Sequence, residues 1–129
     1  MTPTYVADTH ALLWYLADSP RLGSDARSVF KQAQSGQAKV IVPAIVLAEA
    51  IWVVQKGRVG TDVQRVITTI REHYRITPLE PSDVLRLPDL MGVPEMHDRL
   101  IVAETLRRSA SLITRDEQII SSGIVPVVW

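Results

Sequence analysis

No cysteine occurs in the 129 residues, so the chain forms no disulfides and offers no thiolate to a soft metal. Lysine is scarce too: Lys31, Lys39 and Lys56 are the only three, and the second half of the chain has none. No apolar run is both long enough and free enough of charge to span a bilayer. Residues 40–54 fall short of the roughly 20 that a helical span needs. The N-terminus lacks the basic-then-apolar order of an export signal, and a cytoplasmic protein with no membrane partner is the expectation. Net charge is missing as well, since 14 Lys and Arg balance 14 Asp and Glu. A zero total neither demands nor excludes a nucleic-acid partner, because separated patches can hide within it. What is present is ordinary for a folded protein: 47% hydrophobic and 22% charged residues. The length fits one compact domain, residues 1–129, and leaves no room for a second.

Short apolar runs alternate with helical patterns. Tyr5-Val6-Ala7 reads as a strand ended by Asp8-Thr9, either of which can cap a helix running through Leu12, Leu13 and Leu16. Ser24 is the expected N-cap of a second helix that stops near Gly36. Residues 39–42 read as a buried strand, and Pro43 suits the first turn of a helix that Gly57 ends. Thr61 is expected to cap the next helix, whose Val63, Val66, Ile67, Ile70 and Tyr74 make an amphipathic stripe. A strand over 75–79, a short helix opening at Pro81 and a loop marked by Pro88, Gly92 and Pro94 follow. Residues 97–110 are helical in pattern, 112–114 form a short strand, and 116–121 make a further turn or two of helix. Residues 125–129 close as an edge strand, where Pro126 is tolerated. Apolar strands alternating with helices imply an α/β fold whose parallel sheet is covered on both faces.

One residue stands out from its surroundings. Residues 40–54, VIVPAIVLAEAIWVV, hold thirteen apolar side chains, one proline and a single carboxylate, Glu49. An unpaired carboxylate in so apolar a segment costs several kcal/mol or stays protonated. Open parallel sheets bind ligands at the carboxyl ends of their strands, and three more acids belong there. Asp8 follows the first strand, Asp116 follows the strand at 112–114, and Asp98 begins the helix before that strand. Four carboxylates so gathered repel one another unless a cation joins them. An all-oxygen donor set favours a hard ion, Mg²⁺ or Mn²⁺. Such an ion neutralises phosphate charge and activates a water for in-line attack on a phosphodiester. Each acid also has a plainer reading. Asp8, Asp98 and Asp116 stand where helix caps and dipole partners stand, and Glu49 has a solvent-facing slot open to it.

Three segments, YVADTHALLWYL, AEAIW and HDRLIVAETLRRSASLITRDEQI, taken together and in this order, resemble the PIN-domain ribonucleases. Within that family the resemblance is to the toxins of VapBC-type toxin–antitoxin pairs. It implies a PIN-like three-layer α/β/α sandwich with a short, mostly parallel central sheet, and a Mg²⁺- or Mn²⁺-dependent endoribonuclease. Asp8, Glu49, Asp98 and Asp116 match the family's catalytic, metal-holding acids, with Thr9 and Thr114 in support through bound water or loop geometry. An RNA substrate, a homodimer and a small antitoxin whose C-terminal segment blocks the site are implied as well.

The chain departs from many relatives in reading Pro94-Glu95-Met96-His97-Asp98 where they carry an additional Asp, which leaves the role of Glu95 open. Glu117 competes with Asp116, although the family register favours Asp116. Arg99 and Arg115 are candidate phosphate contacts, with ion pairs to neighbouring acids as the plain alternative. Lys56, Arg58, Arg65, Arg107 and Arg108 are candidates for an RNA groove, with a solvated basic face as the more usual reading of any one of them. His10 and His97 are expected to pack or hydrogen-bond, and Trp14, Trp52 and Trp129 to serve core or interface. Haloacid-dehalogenase-type phosphotransferases and receiver domains both use a downstream lysine that is missing here. The rival of a different kind is a catalytically silent PIN scaffold that binds RNA or an antitoxin.

Overall fold

Burial on both faces shapes the sheet. In the strand β2 (Lys39–Pro43) Val40, Ile41 and Val42 are all buried, and since successive side chains point to opposite faces, both faces must be covered. The computed structural model describes residues 2–129. Its five strands are β1 (Thr4–Ala7), β2, β3 (Arg75–Thr77), β4 (Ser111–Ile113) and β5 (Val127–Val128). They lie in the order β3-β2-β1-β4-β5, with every neighbouring pair parallel. The expected sheet was mostly parallel; the observed one is wholly so.

Right-handed crossovers fix which face each helix takes. The chain steps from β1 to β2 to β3 in one direction, through α1 (Thr9–Leu16), α2 (Ser24–Gln34), α3 (Ala44–Gln55) and α4 (Val63–His73). These helices share a layer, in which α1 packs on α3 and α3 on α4. It then passes back beyond β1 to β4 and β5 through α5 (Pro81–Leu85), α6 (Met96–Arg107) and α7 (Glu117–Ser122), which sends them to the other face. The result is a three-layer α/β/α sandwich. Phe30 lies at 0% exposure in the first layer, stacked on Tyr15 at 4.7 Å between centroids and met edge-on by Tyr74 at 5.9 Å. Among the described residues no helix is long and apolar enough to cross a membrane.

The direction of travel reverses between β1 and β4, and a crevice opens outside the carboxyl ends of such a pair. Val6 lies opposite Leu112 and Ala7 opposite Ile113. The Asp8 N–H extends this ladder to the Ile113 carbonyl at 3.2 Å, so the chain emerges from both strands side by side.

Several element ends differ from expectation by a residue or more. Asp62, not Thr61, caps α4, because its carboxylate reaches the Arg65 N–H at 2.9 Å. The Thr61 hydroxyl is buried without a partner among the described residues. Ser24 is the first residue of α2, and Gly23 holds the cap position with no side-chain bond. Gly23 lies against Trp129, whose backbone a Cβ at this point would strike. The third strand stops at Thr77, and α6 ends at Arg107, after which Ser109 adopts φ 50° and turns the chain out of the helix.

Two acids that the sequence did not single out are almost fully buried, Asp83 at 1% and Glu104 at 2% exposure. Arg107 donates to both oxygens of Asp83, Nε at 3.0 Å and an Nη at 3.1 Å. Glu104 accepts from the Thr77 hydroxyl and from Arg108 Nε at 2.8 Å. These bonds fasten the C-terminal half of α6 to α5 and to the end of β3. They also engage Arg107 and Arg108, two of the candidates for an RNA groove. Arg107→Met would leave the Asp83 carboxylate buried without its partner, and a loss of about 3 kcal/mol is expected in urea unfolding.

Candidate functional site

Asp8 and Asp116 are set by their helices. Asp8 has extended backbone at the N-cap of α1 and accepts the Ala11 N–H at 2.8 Å. Asp116 caps α7 in the same way, accepting from Ile119 at 3.0 Å. The Thr114 hydroxyl joins the two, accepting the Asp116 N–H at 3.0 Å and hydrogen-bonding the Asp8 carboxylate. Both capping readings therefore hold in the geometry, and each cap engages one carboxylate oxygen.

Asp98 is different. The cap of α6 is Glu95, whose Oε2 accepts the Asp98 N–H at 2.9 Å. Asp98, two residues into the helix, is thereby relieved of capping. Glu49 comes from the second turn of α3, where its Oε1 accepts from the Thr9 hydroxyl at 3.3 Å. Its Oε2 lies 3.7 Å from His97 Nδ1, which is also 3.4 Å from Glu95 Oε1.

All four expected acids line one cleft of about 490 Å³ at the crevice between β1 and β4, and Glu95 lines it as a fifth. Thr9 and Arg115 line it too, whereas Thr114 is buried behind Asp8 and Asp116. Arg99 is directed elsewhere: its guanidinium donates to the carbonyls of Val93 and Leu87 and ties down the segment before α6. Glu117 is exposed in the first turn of α7 and does not line the cleft. His10, Trp14 and Trp129 do. The signal for the first two was their i, i+4 spacing on the helix that Asp8 caps; no sequence signal marked Trp129.

The cleft concentrates negative charge. Burial pushes the Asp98 carboxyl up to about 7, with help from the charges of Glu95, Asp116, Asp8 and Glu49. Burial also raises Asp8, against the hydrogen bonds from Thr114 and Ala11. Glu49 is raised by burial too, against His97 and Thr9. Among the described residues no three His, Asp or Glu side chains stand ready to hold a metal ion in their present positions. The carboxylates converge without closing on one point. The donor set nonetheless fits a hard divalent cation, being oxygen throughout, half-buried and short of positive charge.

A family model described as the PIN domain matches residues 5–122. The chain belongs to the PIN domain family. Comparison with curated proteins gave no match. Among solved structures, this PIN domain is similar to VapBC2 from Rickettsia felis bound to a DNA fragment from their promoter. There the TM-score is 0.76 at 15% identity, covering 98% of each chain. A toxin–antitoxin complex from Klebsiella pneumoniae aligns with a TM-score of 0.71 at 22% identity, over 97% of this chain and 96% of that one. FitAcB from Neisseria gonorrhoeae gives 0.64 at 16%, over 97% and 96%. Identities this low speak to the fold alone.

Asp98 in this PIN domain holds its proton up to about pH 7 when folded, against about 4 in an unfolded chain. Between those values the folded state binds more protons. The stability carried by neutral Asp98 is therefore complete below about pH 4 and lost as pH rises through about 7. In EDTA, Asp98→Asn is expected to melt above the unsubstituted protein at about pH 8 and to converge with it near pH 4. Circular-dichroism melting across this range checks it.

Proposed function

We propose that this PIN domain is a Mg²⁺- or Mn²⁺-dependent endoribonuclease that serves as the toxin of a type II toxin–antitoxin pair. The observation that carries the reading is the convergence of Asp8, Glu49, Asp98 and Asp116 in one cleft at the strand reversal. These four would hold one or two ions. When bound, the ion supplies neutralisation of the phosphate and a water acidic enough to attack in line. The chain's own part is orientation. Thr9 and Thr114 steady Glu49 and Asp8, and the caps on α1 and α7 hold two carboxylates at fixed angles to the cleft. Arg115, exposed at the cleft, is placed to receive a phosphate oxygen. In-line attack by water on the leaving 3′-oxygen's phosphorus gives a 5′-phosphate and a 3′-hydroxyl.

Likeness of fold to the Rickettsia VapBC2 and Klebsiella toxin–antitoxin structures supports the toxin role. With that role go a cognate small antitoxin whose C-terminal segment enters the cleft, a homodimer and action on RNA in the cytoplasm.

The test is cleavage of a mixed pool of structured RNAs by purified protein in Mg²⁺, Mn²⁺ or EDTA. Metal-dependent cutting is expected, lowered more than about 100-fold by Asp8→Asn or Asp98→Asn. Cutting that survives both substitutions would mean a contaminating nuclease or a misassigned site. No cutting with any metal would favour the silent scaffold. Binding gives a second readout that needs no substrate. Mn²⁺ at about 100 times its Kd should add roughly 2.7 kcal/mol of stability to the unsubstituted protein and far less to Asp98→Asn. A silent scaffold gives no such shift.

A further inference from the structure

Two of the chain's three tryptophans line the cleft that holds the acids. His10 and Trp14 lie one helical turn apart on α1, with ring centroids 5.6 Å apart and planes tilted by 53°. Trp129 meets Trp14 edge-on, at 5.8 Å and 73°. The Arg115 guanidinium sits 4.4 Å from the centre of the Trp14 ring and 5.9 Å from that of Trp129. Both tryptophans are only partly buried, and His10 and Arg115 are exposed.

A cluster built only to close the core would be covered. Here the rings line the same cleft as the carboxylates, Arg21 also stands over the Trp14 ring at 5.9 Å, and Arg115 has no carboxylate within 4.0 Å among the described residues. Its charge is held by ring faces rather than by an anion of the protein. Two tryptophan rings at 73°, with a planar guanidinium laid over one of them, offer flat ring and guanidinium surfaces beside a cation. Unpaired nucleobases stack on such surfaces while the neighbouring phosphate meets the charge.

We infer that this wall, Trp14 and Trp129 with His10 and Arg115, seats one unpaired nucleobase beside the phosphate that the acids act on. The inference rests on the RNA-cleaving reading and adds what that reading lacks, a part of the site that recognises a base rather than a phosphate. It makes the substrate single-stranded at the cut, since a base inside a duplex has no free face to offer. Stacking tolerates any base, so homopolymers are adequate probes.

Fluorescence anisotropy of labelled 12-nucleotide oligo(A) and oligo(U), and of an abasic ribose-phosphate strand of equal length, tests it in Ca²⁺ and in Mg²⁺. The two base-bearing strands should bind at least about 5-fold more tightly than the abasic one. Trp14→Leu should close that gap and Trp14→Phe should keep most of it. His10→Ala alters an exposed side chain and should narrow the gap even if Trp14→Leu fails to fold by circular dichroism. A purely structural wall would shift all three strands together. Equal binding of all strands, or a gap untouched by these substitutions, with metal-dependent cutting intact, overturns the seat and leaves the nuclease reading standing. Binding of no strand, with cutting intact, also overturns the seat, and binding of no strand together with no cutting overturns both.

Discussion

Repulsion between like charges at the reversal of a parallel sheet is the constraint to which the other features answer. β1 and β4 deliver Asp8 and Asp116 to neighbouring points because the two strands pair in register and run the same way. The α3 and α6 helices, from opposite layers, add Glu49 and Asp98. A folded chain that brings these groups together must spend stability on it, and part of that cost is avoided by leaving Asp98 neutral until about pH 7. The rest is borne by structure that lies away from the cleft. The bidentate pair of Arg107 with Asp83 and the bonds to Glu104 anchor the far half of α6, so that its near half cannot swing outward to separate the charges.

Capping and ligation are commonly weighed as rival explanations for an acid at a helix start. Here they cooperate. A carboxylate that accepts a backbone N–H with one oxygen has lost most of its rotamer freedom, and its other oxygen is held in a fixed direction. Asp8 and Asp116 are positioned in this way. Asp98 differs, since Glu95 takes the capping role and bonds the Asp98 backbone, which leaves the Asp98 carboxylate free of a capping bond.

Much of this was legible in the sequence because it depends on local pattern. Strand and helix alternation gave the layers, and Glu49 showed itself by contrast with the apolar run around it. Asp8 and Asp116 followed from their places just beyond strands. What stayed hidden depends on which surfaces meet. Asp83, in the short stretch PSDVL, carries no pattern that marks it as buried, and Glu104, in the apolar run LIVAETL, went unremarked; the packing of α5 on α6 and the bond to Thr77 bring both inside. Glu95 lines the cleft because a cap must lie beside the helix start it serves, which depends on where α6 begins. Trp129 reaches the cleft only because β5 lies next to β4. The misplaced caps at Thr61 and Ser24 reflect a finer limit. Adjacent residues that can both hold a cap position differ by one place, and at α2 that place falls to Gly23, which lies against Trp129.

That contact divides the cleft into two unlike halves. On the acid side, caps and a hydroxyl bond tie Asp8, Asp116 and Glu49 to the ends of sheet and helix. On the aromatic side, the Trp129 backbone rests on Gly23, a residue with no side chain, in the loop between α1 and α2. Any larger residue at position 23 would push Trp129 and with it one wall of the cleft. The chemistry is thus tied to the framework, while the shape of the opening is adjustable from a loop. Selectivity can drift in such a protein without disturbing the reacting groups.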